Sequence, residues 1–435
     1  MHMRIIYIVS LAWMLLVSSC DSFRDVKGVE DVASMSVAVN IQLDVENLAE
    51  IKDLTLKFDN YDEDLHLSQK CAVGKVEMDG VIPGIYTITV SGTVLNADGD
   101  EFYVNGNLVN KALFGNVNEV DVMAQGLKVS PLVFKEIYYA GSRSETGGVY
   151  FRDQFYEIYN NSSSVLYLDG LYIANLTPSK STLTLPVWPE EDGDNYAYAE
   201  RVWKFPGNGT DYPLEPGESC VISQFAANHQ LPQYNPLSPI DGSTSEFEFN
   251  MNNANFPDQP AYDMVHVFYD GKAEMETVPQ YLTSVFGPAM VLFQVPQGET
   301  WDPVNDASMK TTDLSKPNSD TYYAKIPVKY VLDAVECIDN ESKVNAKRMP
   351  AVLDAGITYV GATYCGLGVA RKLSLDENGE PIRRENGALI FQDTNNSTDD
   401  FERGVVPMLR RYDVKMPSWN HTLRKKRWNL MKNNI

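Results

Sequence analysis

Between Met35 and Val45 the chain alternates strictly, with Met35, Val37, Val39, Ile41, Leu43 and Val45 on one side. A two-residue period is the mark of a strand with one buried face. Leu54, Leu56 and Phe58 repeat it, as do Val76 and Met78. Pro83-Gly84 then makes a turn, and Ile85 to Val90 is β-branched and aromatic, as strands prefer. Asn96-Ala97-Asp98-Gly99-Asp100 is a hairpin tip before Glu101 to Val104, and Val117, Val120 and Val122 predict a last strand. Short strands at regular spacing with turn residues between them predict an all-β sandwich over residues 31–128.

From Ser130 the loops lengthen and aromatics increase. Val133 to Tyr139, Gln154 to Tyr159 and Leu166 to Ile173 read as strands, and Pro216-Gly217 leads into another at Cys220-Val221-Ile222. One helix is predicted. Pro327 sits at its first turn, and Val328, Val331, Leu332 and Val335 follow at i, i+3, i+4 and i+7. Asp376-Glu377-Asn378-Gly379-Glu380-Pro381 is a hairpin turn, and Ile390-Phe391 is a strand running into a polar loop. The expected fold is therefore mainly β. Two β-sandwich domains stand in series, 31–128 and 129–435, with a few short helices in the second.

The N-terminus has a different pattern. Arg4 precedes an almost wholly apolar run from Ile5 to Val17. That run is shorter than the ~20 residues a spanning helix needs and fits a signal peptide. Val17-Ser18-Ser19-Cys20 resembles the bacterial lipobox, in which the cysteine after the cut carries a diacylglycerol. The expectation is a signal peptide over 1–19 and a lipidated tether over 20–30. The mature protein is then held on the outer membrane through Cys20, on a periplasmic or cell-surface face that the residues leave open.

Charge changes the picture of partners. The chain holds 59 Asp and Glu against 36 Lys and Arg. Such an acidic balance disfavours nucleic acid, whose phosphates need an excess of cations. The end is the exception. Arg403, Arg410, Arg411, Lys415, Arg424, Lys425, Lys426, Arg427 and Lys432 face only Glu402 and Asp413 there. A basic run of this kind reads as a solvated tail or edge strand, or as a contact for lipid headgroups or a partner.

Candidate chemistry is sparse, and no catalytic or metal residues are assigned. No Gly-x-Ser-x-Gly is present, and His66, His229, His266 and His421 stand far apart. His266, within Val265 to Tyr269, reads as a strand-surface residue. Glu136 and Glu157 lie on adjacent predicted strands and are able to face each other as a glycosidase pair would; sheet-surface carboxylates are the simpler reading. Asp59 to Asp64, Asn96 to Asp100 and Glu190 to Asn195 are oxygen-rich turns of the kind calcium uses, though none completes an EF-hand loop. Cys71, Cys220, Cys337 and Cys365 are free thiols by default, with Cys337–Cys365 the first disulfide to test. The candidate ligand-binding surface is Trp188, Tyr196, Tyr198 and Trp203 around an acidic loop. Exposed rings beside carboxylates stack on sugar rings, whereas buried ones fill a core.

Three resemblances add to this reading. Pro83-Gly84-Ile85-Tyr86 entering a Thr-rich strand resembles transthyretin-like and carboxypeptidase-regulatory sandwiches. The order of Phe155-Tyr156-Glu157-Ile158-Tyr159-Asn160, Leu168-Asp169-Gly170 and Leu214-Glu215-Pro216-Gly217 resembles the lamin-tail sandwich, in which Glu157 and Asn160 would be structural. Lys135-Glu136-Ile137-Tyr138-Tyr139, Gln154 to Asn161 and Gln392-Asp393-Thr394-Asn395-Asn396-Ser397 resemble the exported lipoproteins catalogued as domain of unknown function 4876. That resemblance implies an address and a fold, not a reaction. The expected function is a non-enzymatic, envelope-anchored protein that captures a ligand, such as a glycan, or assembles with an outer-membrane uptake receptor. A two-carboxylate carbohydrate hydrolase and an adhesion or envelope scaffold are the alternatives.

Overall fold

The computed structural model describes residues 33–115, 119–273 and 281–423. Cys20, the expected signal peptide over 1–19 and the last basic residues, Arg424 to Lys432, lie outside them. The described chain is mainly β and builds sandwich domains, with helix confined to single turns such as Ser397–Asp400.

The N-terminal sheet has seven strands. Its order is Leu65–Lys70, Leu48–Asn60, Gly84–Asn96, Glu101–Leu113, Glu119–Lys128, Met35–Asp44 and Gly74–Val81. Only the pairing of Met35–Asp44 with Glu119–Lys128 is parallel. The alternating residues explain how it closes. Val37, Val39 and Ile41 from one end of the sheet meet Leu54, Leu56 and Phe58 from the other in one cluster, with Tyr86, Ile88, Val90, Val104, Val120 and Val122. A flat sheet cannot bring its two ends to one core, so this one folds over on itself.

Residues beyond about 130 form two further large sheets, face to face, beside two short two-stranded ribbons. The front sheet runs Tyr262–Asp263, Phe247–Glu248, Ser219–Ser223, Phe155–Asn160, Leu132–Tyr138, Gly368–Arg371, Phe401–Val405. The back sheet runs Lys310–Thr312, Tyr322–Pro327, Tyr196–Lys204, Tyr172–Leu176, Ala289–Phe293, Val331–Ile338, Thr358–Tyr359, and Val265–Tyr269 pairs with its third strand. Between the sheets Ile137, Tyr156, Ile158, Cys220, Ile222 and Phe247 pack on Ile173, Trp203, Met290, Leu292 and Val335. The other face of the back sheet is buried as well: Ala174, Val202, Val291, Phe293, Ala324, Ile326 and Ala334 form a second core there with Trp301 and Leu353.

This double burial overturns the predicted helix. Val331–Ile338 is a strand, preceded by a single turn at Val328–Tyr330. A strand buried on both faces carries apolar residues on both parities, so its pattern loses the period of two and matches a helical template by accident. Here Val335 faces one core and Val331 and Ala334 the other. The β-branched valines were the better guide.

The front sheet has an unexpected outer face. Glu136 and Glu157 are cross-strand partners, as expected, but both are fully buried, not on the sheet surface. The chain after Val405 crosses over them. Arg411 Nε and Nη2 each reach a Glu136 oxygen at 3.0 Å, and the Met408 N–H donates to the same carboxylate at 2.7 Å. Lys135 Nζ and the Arg410 N–H both donate to Glu157 at 3.1 Å. Arg410 Nη2 pairs with the buried Glu246 at 2.5 Å. In the described part of the basic end, therefore, Arg410 and Arg411 are neither a solvated tail nor a lipid contact. They are the counter-ions of buried glutamates.

Candidate functional site

Two clefts lie side by side where the N-terminal sheet meets the C-terminal sandwich, and three contacts cross between those two bodies beside them. Lys57 Nζ pairs with Asp399 Oδ2 at 2.7 Å, Asn105 Nδ2 donates to the Thr394 carbonyl at 3.2 Å, and Asn107 Nδ2 to the Ala355 carbonyl at 3.5 Å. The loop that receives them is held by its own chemistry. Asn396 caps the turn Ser397–Asp400, and its Nδ2 holds Asp399 at 3.1 Å. The Asp354 carboxylate accepts the Ser397 N–H at 2.8 Å, and Ile357 and Thr398 bond each other. The close approach requires Gly356, where a Cβ would lie 2.0 Å from Asn396 Oδ1.

The first cleft, about 350 Å³, is charged: Lys57, His66, Lys347 and Arg403 alternate with Asp59, Glu341 and Asp399. His66 Nδ1 is 2.7 Å from Asp59, and that hydrogen bond raises its pKa. The second, about 340 Å³, is aromatic on one side and polar on the other. Trp188, Tyr196 and Tyr198 with Asp194 face Asn105, Asn107 and Gln125 of the N-terminal sheet and Met349 to Val352 of the sandwich.

Tyr196 and Tyr198 stand on one strand and differ by two, so they share a face. The Trp188 loop is pinned to its neighbour, because Val187 N donates to Asp313 Oδ1 at 3.0 Å and its carbonyl accepts from Leu314 N at 2.8 Å. Trp188 then lies flat on Tyr198, ring centres 4.0 Å apart and planes 13° from parallel, with Tyr323 against its edge. Lys325 Nζ sits 4.3 Å over Tyr196 and pairs with Asp192 at 2.5 Å. Two residues lining this cleft each carry a buried polar atom with no hydrogen-bond partner among the described residues: Tyr198 Oη, on a residue only 5% exposed, and Asn105 Oδ1, on one 1% exposed. Burial raises the Tyr198 hydroxyl far above its ordinary pKa, so it remains a neutral donor.

Three of the four expected ligand-binding aromatics thus meet at one cleft, and the fourth does not. Trp203 is 1% exposed and packs among Phe249, His266 and Tyr281 between the two sheets. It follows Tyr198 by five positions on the same strand, at the end that the front sheet covers. Asn105 was not anticipated; nothing in its strand-like surroundings distinguishes it before the two bodies are brought together.

The remaining candidates are taken up by structure. Asn160 turns the chain, as expected, donating to the Ser164 and Leu214 carbonyls at 2.8 Å and accepting from Ser162. The oxygen-rich turns close on themselves: Asn60 Oδ1 accepts from Asp62 N and Glu63 N, Asn96 Oδ1 from Asp98 N and Asp100 N, and Asp192 holds Lys325. The acidic group that does gather, Glu248, Asp258 and Asp263 within 4.8 Å, matches no motif in the sequence. It arises because Glu248 and Asp263 are parallel cross-strand partners. Both Glu248 oxygens already accept backbone N–H groups, from Ala226 at 2.9 Å and Gln259 at 2.8 Å, and burial raises its pKa to about 7. His229 is buried between Tyr150 Oη and the Phe225 carbonyl, and burial lowers its pKa to about 4. His266 lies on a strand, as expected, but its ring packs on Trp203 instead of facing solvent. Cys71, Cys220, Cys337 and Cys365 are all free, so the Cys337–Cys365 bridge does not form.

Residues 215–408 match the family described as Protein of unknown function (DUF4876). A crystal structure of a DUF4876 family protein from Bacteroides thetaiotaomicron VPI-5482 is 70% identical, covers 89% of this chain and 100% of its own, and superposes with a TM-score of 0.68. The chain belongs to the DUF4876 family. A second structure, titled "putative adhesin" and from Bacteroides ovatus ATCC 8483, covers 68% of this chain and 83% of its own at 11% identity and a TM-score of 0.18, too low to support any argument. No curated protein matches. Among the described residues no helix is long and apolar enough to cross a membrane.

Proposed function

We propose that this chain is a non-enzymatic lipoprotein, held on the outer membrane through Cys20, that captures a hydroxyl-rich ligand in the aromatic cleft and serves an outer-membrane uptake receptor. The observation that carries the capture is the pair of buried, partnerless atoms on that cleft, Tyr198 Oη and Asn105 Oδ1. A buried polar group without a partner costs on the order of 1–3 kcal/mol. Native proteins pair nearly all such groups, and a bound molecule is one way to complete them. A ligand rich in hydroxyls offers a donor to Asn105 and an acceptor to Tyr198 at once, and Trp188 supplies an apolar wall. The hydrolase alternative loses its best pair, because Glu136 and Glu157 are sealed beneath the C-terminal segment and paired with Arg411 and Lys135.

The test is a glycan array probed with the lipid-free mature protein, followed by titration of the retained glycans. Tyr198→Phe should leave the thermal midpoint unchanged or slightly raised, since it deletes an unpaired hydroxyl, yet weaken binding about tenfold, the upper end for one hydrogen bond. Trp188→Ala should weaken it further. Failure to retain any glycan, or binding indifferent to both substitutions, refutes the capture reading.

A further inference from the structure

A second site lies elsewhere, on the back sheet, and is built around a buried arginine. Arg201 is 5% exposed, yet it forms no salt bridge among the described residues, whereas the other deeply buried arginines, Arg348 and Arg371, are both paired with carboxylates. Its guanidinium lies instead against two rings, 4.3 Å from the centre of Tyr269 and 4.8 Å from that of Tyr281, and bonds the Tyr269 side chain. Another of its N–H groups, at Nη1, has no partner among the described residues. Directly across the ladder stands Asn175, 4% exposed, whose Oδ1 also has no partner among the described residues. Both residues line a cavity of about 230 Å³ with Ser179, Glu200 and Ser284.

A guanidinium presents in-plane donors, the geometry that suits a carboxylate. An amide oxygen beside it asks for a donor on the same ligand. We infer that this cavity binds a small hydroxycarboxylate, its carboxylate on Arg201 and a hydroxyl on Asn175. The hydroxyl is favoured over an ammonium because Asn175 stands cross-strand from the Arg201 cation on the same cavity, where a second positive charge would be repelled. Two unpaired buried atoms of opposite polarity, on neighbouring strands and on one cavity, are hard to account for as core packing. This inference is independent of the aromatic cleft: the two sites share only a strand.

The test is calorimetric titration of the lipid-free mature protein with three probes: glucuronate, glucose and inorganic phosphate. Glucuronate should bind and glucose at least tenfold more weakly, because the carboxylate is what Arg201 recognises. Arg201→Gln should abolish glucuronate binding. Asn175→Asp, which places a carboxylate beside Arg201 at nearly constant volume, should also abolish binding while raising the thermal midpoint, a gain that loss of folding cannot imitate. Absence of glucuronate binding at millimolar concentration overturns the inference. So does glucose binding as tightly, phosphate binding more tightly than glucuronate, or glucuronate binding unchanged in both variants. Glycan binding at the aromatic cleft should be unaffected by Asn175→Asp, which keeps failure of one site distinguishable from failure of the other.

Discussion

The C-terminal segment makes a strong demand on one residue. Among the described residues Arg411 is the only cation bonded to Glu136, through two 3.0 Å bonds, and the carboxylate is fully buried while the arginine side chain is 18% exposed. Replacing Arg411 with Met keeps the stem and deletes the charge. Breaking a buried pair from one side typically costs about 3–5 kcal/mol, because an uncompensated charge stays behind. The partial exposure of Arg411 and the surviving Met408 N–H bond place the expected loss near the lower end, about 3 kcal/mol. The loss should depend on pH, with a definite sign. Burial already holds the Glu136 carboxyl above its ordinary pKa, against the pull of Arg411. Removing the arginine raises the folded-state value further, while the unfolded value stays near 4.5. Between those two values the folded state binds the extra proton, so stability falls as pH rises through the window. The Arg411→Met deficit should therefore be smaller at pH 5 than at pH 8. Urea unfolding of parent and variant at both values measures it, the other buried acids cancelling in the difference. Glu136→Gln combined with Arg411→Met should recover most of the loss. A deficit below 1 kcal/mol at pH 8, one equal at both pH values, or a double variant no better than the single would refute the pairing as the source of the stability.

Other expectations follow from individual contacts. Trp203→Ala should cost about 3–5 kcal/mol by emptying the core between the sheets, whereas Trp188→Ala, at a half-buried cleft wall, should cost clearly less; equal thermal shifts would contradict the placement. Gly356→Ala should destabilise by roughly 1–3 kcal/mol, since its Cβ would collide with Asn396 Oδ1, and it should weaken ligand binding at the adjoining clefts. In the native protein Cys365 should react fast with a thiol reagent and Cys71 slowly, while Cys220 and Cys337, buried with raised thiol pKa values, should react only after unfolding. Protein purified from a bacterial envelope should carry a diacylglycerol-sized mass increment on Cys20, and an unmodified cysteine would remove the anchor from the proposed function.

Local patterning was enough for much of the architecture. Met35 to Val45 and Leu54 to Phe58 read as strands because one face meets a core and the other meets water, and that contrast is written in single residues. Asn160 and the turns at Asn60 and Asn96 were legible for a similar reason: each side chain bonds backbone two to four residues away. The strand at Val331–Ile338 was not legible, since two cores erase the alternation. Nor were the burial of Trp203, the unpaired Arg201 and Asn175, or the pairing of Arg410 and Arg411 with glutamates 164 and 275 positions away. The sequence by itself determined which segments are strands, where the chain turns and which aromatics cluster around an acidic loop. Only the tertiary structure decided which charges are buried, which of those aromatics face a cleft, and which polar atoms are left without a partner. Burial and partnership depend on segments far apart in the chain, and a local pattern carries no record of what will be packed against it.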